Sequence, residues 1–488
     1  MRRALLLAAL GLLLGGCAAL SSRAPGSPSQ AAGDCRALYA GMDRAVDAAG
    51  VRDGGAARVA QFPQLRVNRL LASFAAAPMN AEQKRAWIMH MAALDLDARQ
   101  VELANLPLPA HEALSRKHGD VREALARCSA QLQQEDFATP ARLQRLRAAA
   151  RVPDDYDAWK RIAGVYWLSR VPFASGVRRY QARAQAVFDA PLETLPVAGR
   201  LIAYRSPRAQ TYESATPMER VPRDVLGVPK PDDTTVEALF DTHAPVWIVD
   251  EADVNDRIGR VVLDAAGHPT VDVSQPTVYR RLAHTRVGDS TLLQLVYSVW
   301  FPARPKSGGL DLLGGELDGI VWRTTLAPDG GGVLMHDSMH SCGCYHQFFP
   351  TPLAHPLPSP PGIEEGAFVP QRLDDSAVPP ALRIAARTHY LQRVLTAGSP
   401  HNDARAVQAA ADDDLRSLPL PGGGRRSAFG PDGIVAHSAR GERYLFWPMG
   451  VRNAGAMRQW GRHATAFVGR RHFDEARLLE RYFAFGLP

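Results

Sequence analysis

The chain has 488 residues, too many for one hydrophobic core, so two or three domains are expected. Hydrophobic residues make up 46% and charged residues 22%, the balance of a soluble globular protein rather than of a polytopic membrane protein. A formal net charge of +7 is mild over this length and calls for no nucleic-acid partner.

The chain opens MRRALLLAALGLLLGGCAAL. Arg2 and Arg3 form a positive n-region, and Ala4 to Leu14 form an apolar run. That run is shorter than the roughly 20 residues of a membrane span, so residues 1–16 read as a secretory signal. Leu14-Gly15-Gly16-Cys17 resembles the lipobox of bacterial lipoproteins, in which the signal is cut before a cysteine that carries the lipid. The resemblance covers residues 1–20 and no more. It implies lipidation at Cys17 and attachment to a membrane through that lipid, facing the periplasm. Ala18, a non-acidic residue, resembles the position that sorts such proteins to the outer membrane. Residues 17–34, rich in Ser, Pro, Gly and Ala, read as a flexible tether. Loss of Arg2 and Arg3 with the signal leaves a charge of +5, which permits contact with an anionic envelope component.

Of five cysteines, Cys17 would go to lipid. In an oxidising compartment Cys35 and Cys128 are expected to form a disulfide that pins the start of the body to a later helix. Cys342 and Cys344 remain.

Residues 35–200 predict a helical domain. Apolar residues recur three and four apart, with an Asn80 cap, a Trp87, Met91, Leu94 stripe, and Pro140 at a helix start. Trp159, Tyr166 and Trp167 read as core in its last helices. Residues 201–235, rich in Pro, Arg and Thr, read as a linker. From residue 236 to 488 the texture is β-rich. Seven β-branched or aromatic runs from HAPVWIVD to GGVLMHDS are separated by Gly, Asp and Pro clusters. PPALRIAARTHYLQRVLTAG reads as a helix, ERYLFW as an aromatic strand, and the chain closes in a helix. The class predicted is α+β, a helical N-terminal domain followed by a mostly antiparallel β-rich domain.

The densest chemistry lies in HDSMHSCGCYHQFFP, residues 336–350. It reads as a hairpin with His336, His340 and His346 about its tip. Three readings fit: the histidines hold a divalent metal such as Zn, the Cys342–Cys344 pair closes a purely structural turn, or that pair carries redox chemistry. Glu316 and Asp318, two apart on the preceding strand, are expected on one face as ligand or general base. Arg304 and Lys306 read as solvated charge in a long loop. In the closing cluster MRQWGRHATAFVGRRHFDEA, His463 and Arg470 suit a phosphate or carboxylate, and the cluster is expected to converge on the histidine hairpin. H-E-x-x-H, G-x-S-x-G and P-loop patterns are absent. These features predict an outer-membrane-anchored lipoprotein acting as a metal-dependent hydrolase on an anionic envelope component. The alternative is a non-catalytic binding or assembly lipoprotein with a structural CGC hairpin.

Overall fold

The computed structural model describes residues 29–208, 221–328, 332–358, 362–374, 379–396 and 403–486. Residues 1–28, which hold the segment read as a signal, Cys17 and most of the segment read as a tether, lie outside them. Six helices precede residue 150: α1 (Gln30–Ala49), α2 (Arg69–Ser73), α3 (Ala81–Asn105), α4 (Leu108–His118), α5 (Val121–Asp136) and α6 (Pro140–Ala149). Their starts follow local chemistry. Ser29 accepts from the Ala32 N–H, Asn80 and Gln83 form a reciprocal capping box, and Pro140 occupies the first turn of α6. Trp87 and Met91 are fully buried, as their spacing predicts. The Cys35–Cys128 disulfide ties α1 to α5 across a sequence separation of 93, with Cα atoms 5.2 Å apart.

A hairpin of β1 (Ala57–Val59) and β2 (Phe62–Val67) interrupts the helices where only helix was expected. Its strands are shorter than the window over which a helical period is read. β2 carries Arg66 inward, where it meets Asp95 at 3.2 Å and Glu102 at 2.7 Å.

Two further helices, α7 (Ala158–Ala163) and α8 (Tyr166–Asp189), leave the helical domain for the β-rich one, and Phe188 joins the latter's core. Here the expected core stripe fails: Trp159 is 65% and Trp167 70% exposed, and only Tyr166 is partly covered. α7 packs on the start of α8 and on the turn at 447–449, and the rings of Trp159 and Trp167 stay in solvent.

Residues 200–205 form β3 and pair antiparallel with β4 (Val246–Glu251), so the start of the segment read as linker is sheet. Helix α9 (Asp233–Thr242) follows. All seven runs read as strands are strands: β4, β5 (Arg260–Leu263), β6 (Pro269–Asp272), β7 (Thr277–Val287), β8 (Ser290–Arg304), β9 (Gly315–Leu326) and β10 (Val333–His340). β11 (Gln347–Pro350) returns along β10, and β12 (Ala354–Pro356) follows. The segment read as a helix at 379–398 is instead a hairpin of β13 (Pro380–Ile384) and β14 (Leu391–Thr396). Every residue of β13 is buried between β4 and β14, and the turn holds Arg387 and His389 at φ +61° and +53°, which no right-handed helix accommodates. β15 (Ala404–Ala406) and β16 (Gln408–Ala411) are consecutive, yet each joins a different sheet.

Those sheets, ordered β11-β10-β9-β8-β7-β16 and β14-β13-β4-β3-β15, face each other across one core that includes Trp247, Leu295, Tyr297, Trp322 and Leu382. Pairing is antiparallel except β13 with β4, β15 with β3 and β16 with β7. The architecture is thus α+β with a mostly antiparallel β-rich C-terminal part. In place of an aromatic strand at ERYLFW stands α10 (Glu442–Leu445), and a short α11 (Leu478–Tyr482) lies near the end.

Candidate functional site

Alternation along β10 decides the fate of the histidine hairpin. His336 pairs with Thr324 and His340 with Ile320, residues of the face turned to the sandwich core. Asp337 pairs with Arg323 on the opposite face. Ser338 pairs with Gln347, so the hairpin matches even positions with odd ones. His346 therefore falls on the Asp337 face, although its number has the parity of His340. The turn allows this with Gly343 at φ +86° and Tyr345 at φ +59°. The three histidines expected to share a metal lie on two faces of one sheet. Among the described residues no group of three or more His, Cys, Asp or Glu side chains stands in a metal-holding arrangement. Cys342 and Cys344 are buried free thiols, and the Cys344 N–H lies 3.4 Å from the Cys342 sulfur.

On the outer face a chain of polar groups is fully buried. Arg323 donates to both oxygens of Asp337, at 2.8 and 2.5 Å. Asp337 in turn lies 2.9 Å from His346 Nε2. Burial opposes the charge on Asp337, but Arg323 and the bond from His346 hold its carboxyl below the ordinary range. An ionised carboxylate only accepts, so Nε2 carries the imidazole proton and Nδ1 the lone pair. That Nδ1 has no partner. Burial pushes the His346 pKa down to about 4, so the ring is neutral at physiological pH. Phe348 and Phe473 hold it at 4.2 and 5.0 Å between ring centroids.

His346 lines a cavity of about 540 Å³ between α8, the hairpin turn and residues 442–471. Three tyrosines form one wall: Tyr345 stands 4.9 Å from Tyr180 and 4.8 Å from Tyr390, centroid to centroid. Glu442 lines the same cavity, and burial raises its pKa to about 7 against the opposing pull of Arg440 and Arg304. Arg179 and Arg183 stand exposed on α8 at the cavity's edge, and Arg471 lies within. Arg471 is held by the carbonyls of Thr465 and Gly366.

Behind the tyrosines runs a second buried relay. Asp318 Oδ2 is 2.9 Å from His389 Nδ1, Asp256 is 3.3 Å from His389 Nε2, and His340 Nδ1 is 3.4 Å from Asp318. Burial disfavours charge throughout, but Arg440 and His340 hold Asp318 well below its ordinary value. His389, between two carboxylates, is raised despite burial. Although electrostatic attraction favours a bond from His340 to Asp318, the 3.4 Å contact is poorly aligned and Nδ1 has no hydrogen-bond partner. Asp318 is therefore held by its bonds to His389 at 2.9 Å and the Gly319 N–H at 3.0 Å, with the Arg440 charge 3.4 Å away.

The expected pair on β9 does not form. Asp318 is fully buried while Glu316 points to solvent, because Leu317 at φ +57° breaks the pleat between them. His336 is buried on the core face with Thr324 Oγ1 at 2.9 Å and Trp322 stacked on it. The closing cluster does converge on the hairpin: the Arg458 N–H donates to Ser341 O, and its Nε to Cys342 O. The two residues singled out in it do not line the cavity. His463 is buried beneath the turn with Nε2 unpartnered, and exposed Arg470 pairs with Asp154 at 2.8 Å. Their neighbour Arg471 takes the place. Arg304 is buried and donates to the Tyr390 hydroxyl, contrary to its reading as solvated charge, while Lys306 is exposed.

The residues missed were Asp337, Tyr180, His389, Tyr390 and Glu442. Asp337 was legible as the carboxylate one residue from His336. The others come from remote segments, and nothing in their local sequence marks them. A scan against protein-family models and searches of curated proteins and solved structures found no match.

Proposed function

We propose that this chain is a lipid-anchored protein of the bacterial outer membrane, facing the periplasm, that hydrolyses an anionic, partly apolar envelope component by general acid–base catalysis. One observation carries the catalytic reading: His346, oriented by Asp337 and Arg323, lines the same cavity as Glu442 and keeps Nδ1 unpartnered. The lone pair on Nδ1 takes a proton from water as the water oxygen attacks the substrate. Protonated Glu442 delivers its proton to the departing oxygen or nitrogen, and exchange with solvent restores both groups. Environments that push the two pKa values to about 4 and about 7 suit those opposite roles between these values. Arg179 and Arg183 meet a negative substrate group at the edge, and the tyrosine wall takes its apolar part.

The test is turnover of chromogenic carboxylic and phosphodiester substrates by wild type, His346→Ala and Glu442→Gln. Loss of about 10²- to 10⁴-fold in the histidine variant is expected. Turnover by wild type that His346→Ala leaves intact, or none on any such substrate, would sink the hydrolase. The lipoprotein part stands on the lipobox, and the Cys35–Cys128 disulfide agrees with an oxidising compartment. A second reading, a binding or assembly lipoprotein without catalysis, is favoured by the apolar side chains left in solvent on α7 and α8. It predicts tight capture of an envelope component with no turnover.

A further inference from the structure

Three segments at the cavity's rim carry large apolar side chains into solvent. α7 and the first turns of α8 expose Trp159, Ile162 (81%), Trp167 and Leu168. The loop at 307–313 exposes Leu310 (94%), and α10 exposes Tyr444. These segments are contiguous. Phe173 of α8 meets Phe446 at 5.4 Å, Arg161 of α7 donates to Met449 O at 2.8 Å, and the Glu442 N–H donates to Leu312 O at 3.0 Å. Pro172, Leu313, Glu442 and Leu445 belong both to these segments and to the cavity lining.

We propose that this face docks onto the surface of an anionic phospholipid bilayer. Charge argues for that occupant. From Ala158 to Phe188 the chain holds six lysines and arginines and no acidic residue. Lys160 pairs with Asp157 at 2.9 Å and Arg161 binds the Met449 and Gly469 carbonyls, which leaves Arg170, Arg178, Arg179 and Arg183 on α8. Trp167, Val171 and Arg178, four and seven residues apart, share one side of α8, so apolar and cationic groups face the same way. The acid within the loop, Asp311, accepts from the backbone of Ser307 and Leu313, which draws it back toward its own loop. Shape argues the same way. The apolar groups project from short helix ends and a loop tip, which suits a yielding interface better than a complementary protein surface. Tryptophan and tyrosine beside aliphatic residues is the composition of a membrane–water boundary. Docking would turn the rim of the tyrosine cavity toward the lipid, but it does not depend on catalysis there.

The experiment is vesicle co-sedimentation with residues 17–488 carrying Cys17→Ser, which removes the lipid and keeps every described residue. Vesicles are phosphatidylcholine alone or phosphatidylcholine with phosphatidylglycerol at 7:3. Binding to the anionic vesicles is expected, weakened by salt and accompanied by a blue shift of tryptophan emission. Ile162→Glu/Trp167→Glu should weaken it by about tenfold or more, and Arg178→Glu should reduce its salt dependence. Both sites are exposed, so circular dichroism and melting should match wild type. Failure of the parent to bind anionic vesicles, equal binding to both compositions, or undiminished binding by the double glutamate variant would each overturn the proposal. A parent that forms dimers, becomes monomeric on Ile162→Glu/Trp167→Glu and ignores vesicles would show a protein interface instead.

Discussion

Acidification should unfold this protein within a narrow range. Five histidines are held in neutral form, four of them buried and His284 half-buried: His243, His284 and His346 with pKa values lowered to about 4, and His336 and His463 to about 3, in every case chiefly by loss of solvent. The unfolded chain takes up a proton on each near pH 6.5, and the folded chain refuses it. Their stabilising contribution is therefore complete above pH 6.5 and lost as pH falls toward 4. Each histidine costs about 1.4 kcal/mol per pH unit in that window, so five cost about 7 kcal/mol per unit. A typical domain has only about 5–15 kcal/mol in total, so unfolding is expected near pH 5. His340 is lowered too and adds to the slope. Glu442, raised to about 7 by burial, opposes it by about 1.4 kcal/mol per unit between pH 7 and 4.5, and the raised Glu365 and Asp95 act in the same direction. His389 is raised, so its contribution is complete below pH 6.5 and is lost only above it. Urea unfolding followed by tryptophan fluorescence at half-unit steps from pH 7.5 to 5 measures this directly. A midpoint that stays flat from pH 7 to 5.5 would refute the claim that these rings are neutral and dry. The acid limb of any activity should then follow unfolding rather than His346 titration, whereas the alkaline limb should fall near pH 7 with Glu442.

Asp337→Asn strands the Arg323 guanidinium, which is 2% exposed, and should cost about 3–5 kcal/mol in chemical denaturation as well as most of the activity. Cys35→Ser/Cys128→Ser opens a loop of 93 residues and should cost about 4–5 kcal/mol in the chain-entropy account, seen as a lower urea midpoint for the helical domain. Cys17→Ser should abolish incorporation of labelled palmitate and release the protein from membranes in low-salt extracts. Metal content by mass spectrometry on untagged protein checks the ligand set read from the sequence. With His340 and His346 on opposite faces, no single metal should be lost in both His340→Ala and His346→Ala.

Local chemistry written in contiguous residues was legible. Caps at Asn80 and Pro140, the period of α3, the seven strands and the Cys35–Cys128 partner choice follow from nearest neighbours, spacing and redox setting. The hairpin at residues 336–350 and its meeting with the closing cluster were legible as well. What it does was not. Whether His346 joins His340 or Asp337 depends on the pairing register across the turn, a property of two strands and not of numerical parity. Whether Trp159 and Trp167 are core or surface depends on whether another element covers them. Whether 380–396 is helix or hairpin depends on a slot beside β4 that only the assembled sheet provides. Glu442, Tyr180 and Tyr390 reach one cavity because α8, α10 and the β13–β14 turn pack around it. A protonation state set by burial therefore exists only once the chain has folded.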